Sequence, residues 1–490
     1  MSSLRPPPAF GSLFWVAPLV IALALAASMG FGSAFNAHPD EVEHARAADY
    51  YRSNWLPPKF GDPAAVPSYS KYGISYLHEP DLVYLLAGKW STLVAPLVGD
   101  VNLSYRLFNL ALLAAIAIAF VRKPEARPLI VPLALSAQVW YVFSYFNGDA
   151  FALAVALHTA YQITACASAF NAALEAGTRA RWLKGVVALG VGLGLLLLAK
   201  RNYNVFIAFL LAYAVLREVG LRASLVIAFG SLLGVGWYYR APAGVPAWLY
   251  VCAALAAAAL FILEVRPRLS DATFRRRAGA FIAAGAVGLA LLLPRVAFDK
   301  LVVENPANQL SDAVTTAEVF AANGYKPSQI AANKAVWVLH IRERDVSYST
   351  LLFAAPYWLW RSFQSSVGVY GYMNIFGSGE YYIATAMVYV ALLALLWRGA
   401  MRSPDAAARR TLAIAGIYAF MAVLVSSLHS WTFDYQPQGR YLFPAFVMFG
   451  VALADTRGRQ PAAACAVAIL AFLLAAYSFY DVGLALIRRA

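Results

Sequence analysis

Apolar positions along this chain come in long unbroken runs rather than alternating stripes. Runs of about 18–22 apolar residues match the hydrocarbon thickness of a bilayer. They fall near 13–34, 103–121, 129–146, 150–170, 182–199, 203–217, 221–239, 246–264, 278–294, 381–397, 411–430, 441–455 and 461–480, and predict about 13 transmembrane helices. The first run is too long and wrongly flanked for a cleaved signal peptide, so it reads as a helix. A further apolar segment, 81–98, carries Asp81 at its start and Lys89 in its middle. That segment is expected to lie at the membrane interface instead of crossing.

The polar gaps between these runs set the topology. With the N-terminus in the cytoplasm and 81–98 not crossing, the inner loops are 122–128, 171–184, 217–222, 264–277, 398–410 and 456–460, and they hold 19 Lys and Arg. The short outer loops 147–149, 199–203, 240–245 and 430–440 hold only Lys200, Arg201, Arg240 and Arg440. This asymmetry is the positive-inside rule, and letting 81–98 cross would invert it. Arg488 and Arg489 run against the rule if the last helix crosses fully. Two gaps are long, 35–102 and 295–380, and both face outward on this reading. The whole of 1–490 is then one transmembrane domain, with interfacial helices in the first long loop and an aromatic belt, Tyr357-Trp358-Leu359-Trp360-Arg361, in the second.

Composition narrows the class further. The chain is 61% hydrophobic and only 13% charged, far too apolar for a soluble core. Its net charge of +14 is accounted for by the inner loops, and no soluble domain is large enough to bind nucleic acid. Cys166, Cys252 and Cys465 sit far apart in apolar runs, which excludes a disulfide framework and a thiolate metal site. There is no Walker motif, dinucleotide fingerprint or zinc spacing. Abundant Ala and Arg point to a GC-rich bacterial genome, and hence to a bacterial inner membrane.

Chemistry concentrates on the outer side. His38-Pro39-Asp40-Glu41-Val42-Glu43-His44 packs three carboxylates and two imidazoles just beyond the first span, where charge is costly unless a site uses it. If a helix starts at Pro39, Asp40 and His44 share a face at i, i+4, as a general base or as two ligands of a divalent metal such as Mg or Mn. Asn147-Gly148-Asp149 puts an acid at the mouth of two helices, although the same triplet is an ordinary capped turn. Lys200-Arg201-Asn202-Tyr203 places two cations on the side that should be poor in them, and a membrane-embedded phosphate is their natural partner unless they snorkel to lipid headgroups. Arg440 stands between Gly439 and Tyr441, with a guanidinium suited to phosphate. His78-Glu79 precedes the interfacial segment and faces the same cleft or, more simply, forms a satisfied structural pair.

Outer carboxylates and cations around a membrane cavity resemble the GT-C superfamily, integral membrane glycosyltransferases that use polyprenyl-phosphate-linked sugars. His38-Pro39-Asp40-Glu41 with His44 resembles its first-loop acidic signature. The interfacial segment followed by Arg106 resembles the juxtamembrane helix and second helix of the protein O-mannosyltransferase and aminoarabinose-transferase branch. Asn147-Gly148-Asp149 resembles that branch's second-loop acid, and Lys200 its donor-phosphate lysine. Gln438-Gly439-Arg440-Tyr441-Leu442-Phe443-Pro444 resembles a motif in related bacterial membrane proteins.

The resemblance implies an all-α polytopic GT-C fold and an inverting transfer from a polyprenyl-phosphate sugar to a glycan, lipid or protein acceptor on the periplasmic side. Asp40, Glu41 and Asp149 are the expected catalytic residues. Lys200, Arg201, Arg440, Tyr441, His44 and His78 are expected to bind substrate, and relatives differ on whether a metal takes part. The alternative is a transporter or flippase of lipid-linked glycans. It would use the same cations but would need no outer carboxylate pair.

Overall fold

The computed structural model describes residues 15–175, 178–239, 246–303, 309–330, 338–354, 357–403, 406–456 and 462–487. The start of the 13–34 run, the loop holding Arg240, and Arg488 and Arg489 lie outside the described residues. Strand is confined, among the described residues, to the antiparallel pair β1 (Val369–Tyr370) and β2 (Ile375–Phe376) and an isolated bridge between Leu339 and Asp434. Everything else of regular structure is helical, in keeping with an all-α polytopic chain.

The first stretch comprises α1 (Val16–Gly32), α2 (Glu41–Ser53), α3 (Val83–Val98), α4 (Val101–Arg122), α5 (Ala137–Ser144) and α6 (Asp149–Thr164). Then come α7 (Arg179–Leu197), α8 (Asn204–Glu218), α9 (Leu221–Tyr238), α10 (Ala247–Val265) and α11 (Ala272–Phe298). The last stretch holds α12 (Trp358–Val367), α13 (Gly379–Arg402), α14 (Ala406–Thr432), α15 (Phe443–Asp455) and α16 (Ala462–Tyr477).

Nine helices among the described residues are long and apolar enough to cross a membrane. A tenth span is added if the pair Pro124–Leu135 and Ala137–Ser144, bent by 91°, counts as one. Of the about 13 transmembrane helices expected, nine or ten are thus long enough among the described residues. α1, α8 and α15 have only 17, 15 and 13 residues, and at about 1.5 Å per residue none reaches the full thickness alone. The run at 129–146 is broken at Ser136, whose side chain caps α5 by accepting from Val139 N–H.

The first long loop is helical, as its pattern implies. α3 is a 16-residue apolar helix that ends at Gly99, where φ is +73°. Its Leu93 and Leu97 are 73% and 83% exposed, which suits a helix lying on a bilayer surface. α2 packs on it so closely that a Cβ at Gly88 would stand 2.5 Å from the Ala48 carbonyl oxygen. The core gathers around α6, whose span is 72% buried, whereas that of α10 is only 6% buried and faces outward. Asp149, the first residue of α6, is itself fully buried.

Candidate active site

Asp40 begins the construction. It takes left-handed backbone angles (φ +57°, ψ 14°) as the residue before α2, a conformation that a short polar residue tolerates best. The helix therefore starts at Glu41, two residues later than Pro39 suggests, and Asp40 stands outside it, so the shared i, i+4 face with His44 is not formed. Its side chain is 44% exposed.

Glu41 turns the other way and is buried. Arg106, from α4, grips it with Nε to Oε1 at 2.6 Å and Nη2 to Oε2 at 2.9 Å. The same guanidinium donates to the carbonyls of Gly30, Ser33 and Ala34, each at 2.8 Å, so all five of its N–H groups are used. Asn36 N–H also donates to Glu41 Oε2 at 2.9 Å. Glu41 is thereby committed to anchoring the first loop onto α1 and α4, and its carboxylate is not presented to a substrate.

Arg440 closes the site from the far end of the sequence. It is buried, and its Nη2 lies 3.3 Å from Asp40 Oδ2 while Nη1 lies 3.6 Å from Asp149 Oδ2. Nη1 also donates to Tyr145 Oη at 3.4 Å, and Nε donates to Gln438 Oε1 at 2.5 Å. Burial alone would lower the Arg440 pKa, but Tyr145, Tyr441, Asp149 and Asp40 around it raise it overall, so the cation is retained. The turn that carries it is fixed by Gly439, where a Cβ would stand 2.1 Å from the Ser366 backbone nitrogen of α12. Tyr441 lies beneath the Arg440 guanidinium, 5.6 Å from ring centroid to Cζ.

Asp149 is wholly buried, and neither carboxylate oxygen has a hydrogen-bond partner. The capping role that its triplet suggests is filled by Asn147, whose Oδ1 accepts from the Asp149 and Ala150 N–H groups at 2.9 and 3.2 Å. The Asp149 side chain is left free of that duty, and Tyr203, whose hydroxyl is also buried without a partner, feels its charge. Lys200 leans over the same turn. A Cβ at Gly148 would meet Lys200 Cε at 2.9 Å, and Lys200 Nζ stands 4.9 Å from the Tyr76 ring centroid.

His44 completes this inner wall. It stacks on Tyr76 at 4.2 Å, and its Nδ1 is 2.8 Å from Tyr84 Oη, whereas its Nε2 has no partner. Burial, then the charges of Lys200 and Arg440, hold its pKa well below the ordinary imidazole value, so the ring is neutral. Asp81 is buried at the same edge. Burial pushes its pKa up to about 6, against the pull of Lys200.

The structure thus brings Asp40, Asp149, Lys200, Arg440, Tyr441 and His44 together, although they span four hundred positions. Arg201 is set apart: it is exposed and pairs with Glu79 at 2.6 Å. His78 also faces elsewhere, with its ring 4.1 Å from that of Phe60 and its Nε2 3.3 Å from Tyr69 Oη. As for a metal, Asp40 faces a guanidinium and His44 is sealed behind Tyr76 and Tyr84. No group of three His, Cys, Asp or Glu side chains able to hold an ion exists among the described residues. Asp40 Oδ2 lies instead 3.3 Å from Arg440 Nη2, and His44 Nδ1 2.8 Å from Tyr84 Oη.

Sequence reading missed the tyrosine wall. Tyr76, Tyr84, Tyr145 and Tyr203 come from separate elements, and no spacing links them. Two cavities, of about 700 and 630 Å³, open on the apolar faces of α8–α10 and of α9–α14, and no residue of the polar cluster lines either. Comparison of the chain with protein-family models, curated proteins and solved structures finds no match.

Proposed function

We propose that this chain is an inverting glycosyltransferase of the bacterial cytoplasmic membrane, moving a sugar from a polyprenyl-phosphate donor to an acceptor hydroxyl on the periplasmic side. The observation that carries this reading is the Asp40–Arg440–Asp149 arrangement, in which one buried cation faces two carboxylates at the mouth of the helix bundle. Asp40 offers Oδ1, which has no bond to any described residue, on a half-exposed side chain, so an acceptor can reach it from water.

In the reaction, the acceptor oxygen attacks the anomeric carbon and gives its proton to Asp40. The bond from that carbon to the phosphate oxygen breaks, and its electron pair leaves with the phosphate. Lys200 and Arg440 meet the charge that develops there. Asp149 and Tyr203, buried and with their side-chain oxygens making no hydrogen bond, would hold sugar hydroxyls. Glu41 acts through Arg106 by fixing the loop on which Asp40 stands. Because nucleotide sugars stay in the cytoplasm, an outward-facing site needs a donor that has crossed on a lipid.

The test is transfer of radiolabelled sugar from a panel of polyprenyl-phosphate sugars, using purified protein in lipid beside Asp40→Asn. The variant should lose about 10²–10⁴-fold in rate, the usual share of a general base, while donor binding stays close to wild type. Full activity in the variant removes Asp40 from the mechanism. No turnover with any donor, together with saturable binding of the lipid phosphate unchanged in the variant, replaces the enzyme by a carrier of lipid-linked glycans.

A further inference from the structure

We propose that the membrane face opposite the Asp40–Arg440 cluster carries a binding site for an anionic phospholipid, built from the adjacent starts of α7 and α11. Six exposed cations lie there: Arg179, Arg181 and Lys184 on the first two turns of α7, and Arg268, Arg275 and Arg276 around the start of α11. The two groups touch, since Arg276 donates to the Leu174 carbonyl just ahead of α7.

Helix packing forces them together. α7 runs from this face to Lys200, and α11 runs the same way, ending where Arg295 donates to the Glu79 carbonyl at 2.9 Å. The two helices are therefore parallel, with their starts side by side. Their contact is backbone on backbone: a Cβ at Gly190 would stand 2.7 Å from the Ala284 carbonyl oxygen, and one at Gly288 would stand 3.2 Å from the Gly190 carbonyl oxygen. Close approach of this kind is driven by dispersion and needs small residues. It holds the cations together against their mutual repulsion.

Their placement also opposes the helix dipoles, which favour acids in a first turn. Neither α7 nor α11 has an acid there, and Thr178 makes no side-chain cap. The neighbouring acids are outnumbered by these cations. Glu218 is taken by Arg277 at 3.3 Å, Asp271 Oδ1 accepts from Thr273 N–H at 2.8 Å, and Glu175 and Glu264 form no ion pair among the described residues. Arg275 spends one nitrogen on the carbonyls of Leu269 and Ser270 and stays exposed.

A lipid fits this face better than a soluble anion because apolar surface continues from the cations into the membrane. Leu183 and Val187 on α7 and Ile282 on α11 are 54%, 40% and 73% exposed. Phosphates would sit among the arginines, with acyl chains along these side chains, the pattern of headgroup sites between spans.

The experiment counts lipid bound to purified full-length protein by native mass spectrometry. Diphosphatidylglycerol, phosphatidylcholine and inorganic phosphate are titrated separately. The variants are Arg179→Gln with Arg181→Gln and Arg275→Gln with Arg276→Gln. A control, Arg398→Gln with Arg402→Gln, removes equal charge at the end of α13, where both arginines are exposed. Each α7 or α11 pair should weaken diphosphatidylglycerol binding about tenfold or more, and the control less than about twofold.

Equal loss in all three pairs makes the effect one of bulk charge and overturns the site. Phosphatidylcholine binding as tightly overturns it as well, and so does inorganic phosphate saturating the face without lipid. A salt titration of the wild-type protein stands beside the variants in case one fails to fold. Binding must weaken steeply with salt, and salt-independent binding refutes the proposal.

Discussion

Two acids adjacent in the sequence have opposite fates. Glu41 is buried and held by two bonds from Arg106, whereas Asp40, turned by a left-handed backbone, keeps an open oxygen beside Arg440. Removing one partner of such a buried pair costs about 3–5 kcal/mol, so any loss of activity on changing Glu41 must be separated from loss of fold. A pH dependence follows at this scale as well. Burial, then the Arg295 charge, pushes the His78 pKa down to about 4, from an ordinary 6.5. Between those values the unfolded chain binds a proton that the folded chain refuses. Stability is therefore full above pH 6.5 and falls as pH drops toward 4, by up to about 3 kcal/mol from this residue. His38 and His44 are held neutral by burial and act in the same direction. Thermal unfolding of wild type and His78→Gln at pH 7.5 and pH 5 checks this: the variant should lose less on acidification, and an unchanged difference would refute it. The sequence shows that acids and histidines crowd this loop. It does not show which is buried, because Arg106 and Arg440 approach from 65 and 400 positions away.

At the scale of elements, what could be read were signals carried by consecutive residues. Helix α3 shows as an apolar run interrupted by Lys89, and α6 as an apolar run behind Asn147-Gly148-Asp149. The break at Ser136 and the short helices α8 and α15 could not be read the same way, because hydropathy counts apolar residues and not the hydrogen bonds that end a helix. The Arg440 turn is another case. Its sequence stands out, but its position depends on contact with α12, which only the fold reveals. That contact makes a prediction without touching any charge. At Gly439 a Cβ would meet Ser366 N and Cα at 2.1 and 2.2 Å, both backbone atoms. Gly439→Ala must therefore shift the turn or α12, and overpacking of this kind costs about 1–3 kcal/mol. An ångström-scale displacement of Arg440 should lower transfer about 10²-fold. Gly416→Ala on α14, where a Cβ meets nothing within 4 Å, serves as the control and should keep both activity and unfolding midpoint. Wild-type transfer rates in Gly439→Ala would mean that the position of Arg440 does not matter to the reaction.

For the molecule as a whole, hydropathy identifies a polytopic membrane protein, of which nine or ten helices are long enough to span among the described residues. The short helices are nevertheless tied at both ends. α8 leaves the Lys200 turn and ends where Glu218 meets Arg277, and α15 follows Arg440 and ends where Asp455 accepts from Tyr213 at 3.0 Å and Thr411 at 2.7 Å. The polar cluster and the arginine-rich helix starts therefore occupy opposite ends of the bundle, about 28 Å apart along the 19 residues of α7. The positive-inside rule predicts that the basic end faces the cytoplasm. In a background lacking Cys166, Cys252 and Cys465, Ala64→Cys in the first long loop and Arg268→Cys between α10 and α11 give two exposed reporters. A membrane-impermeant maleimide should label Ala64→Cys in intact spheroplasts and Arg268→Cys only after permeabilisation. The reverse result would place Asp40 and Arg440 in the cytoplasm, where nucleotide sugars are at hand and the case for a lipid-borne donor fails. Labelling of both from one side would mean that α7 does not cross the membrane, and the phosphate-binding and lipid-binding ends would have to be assigned anew.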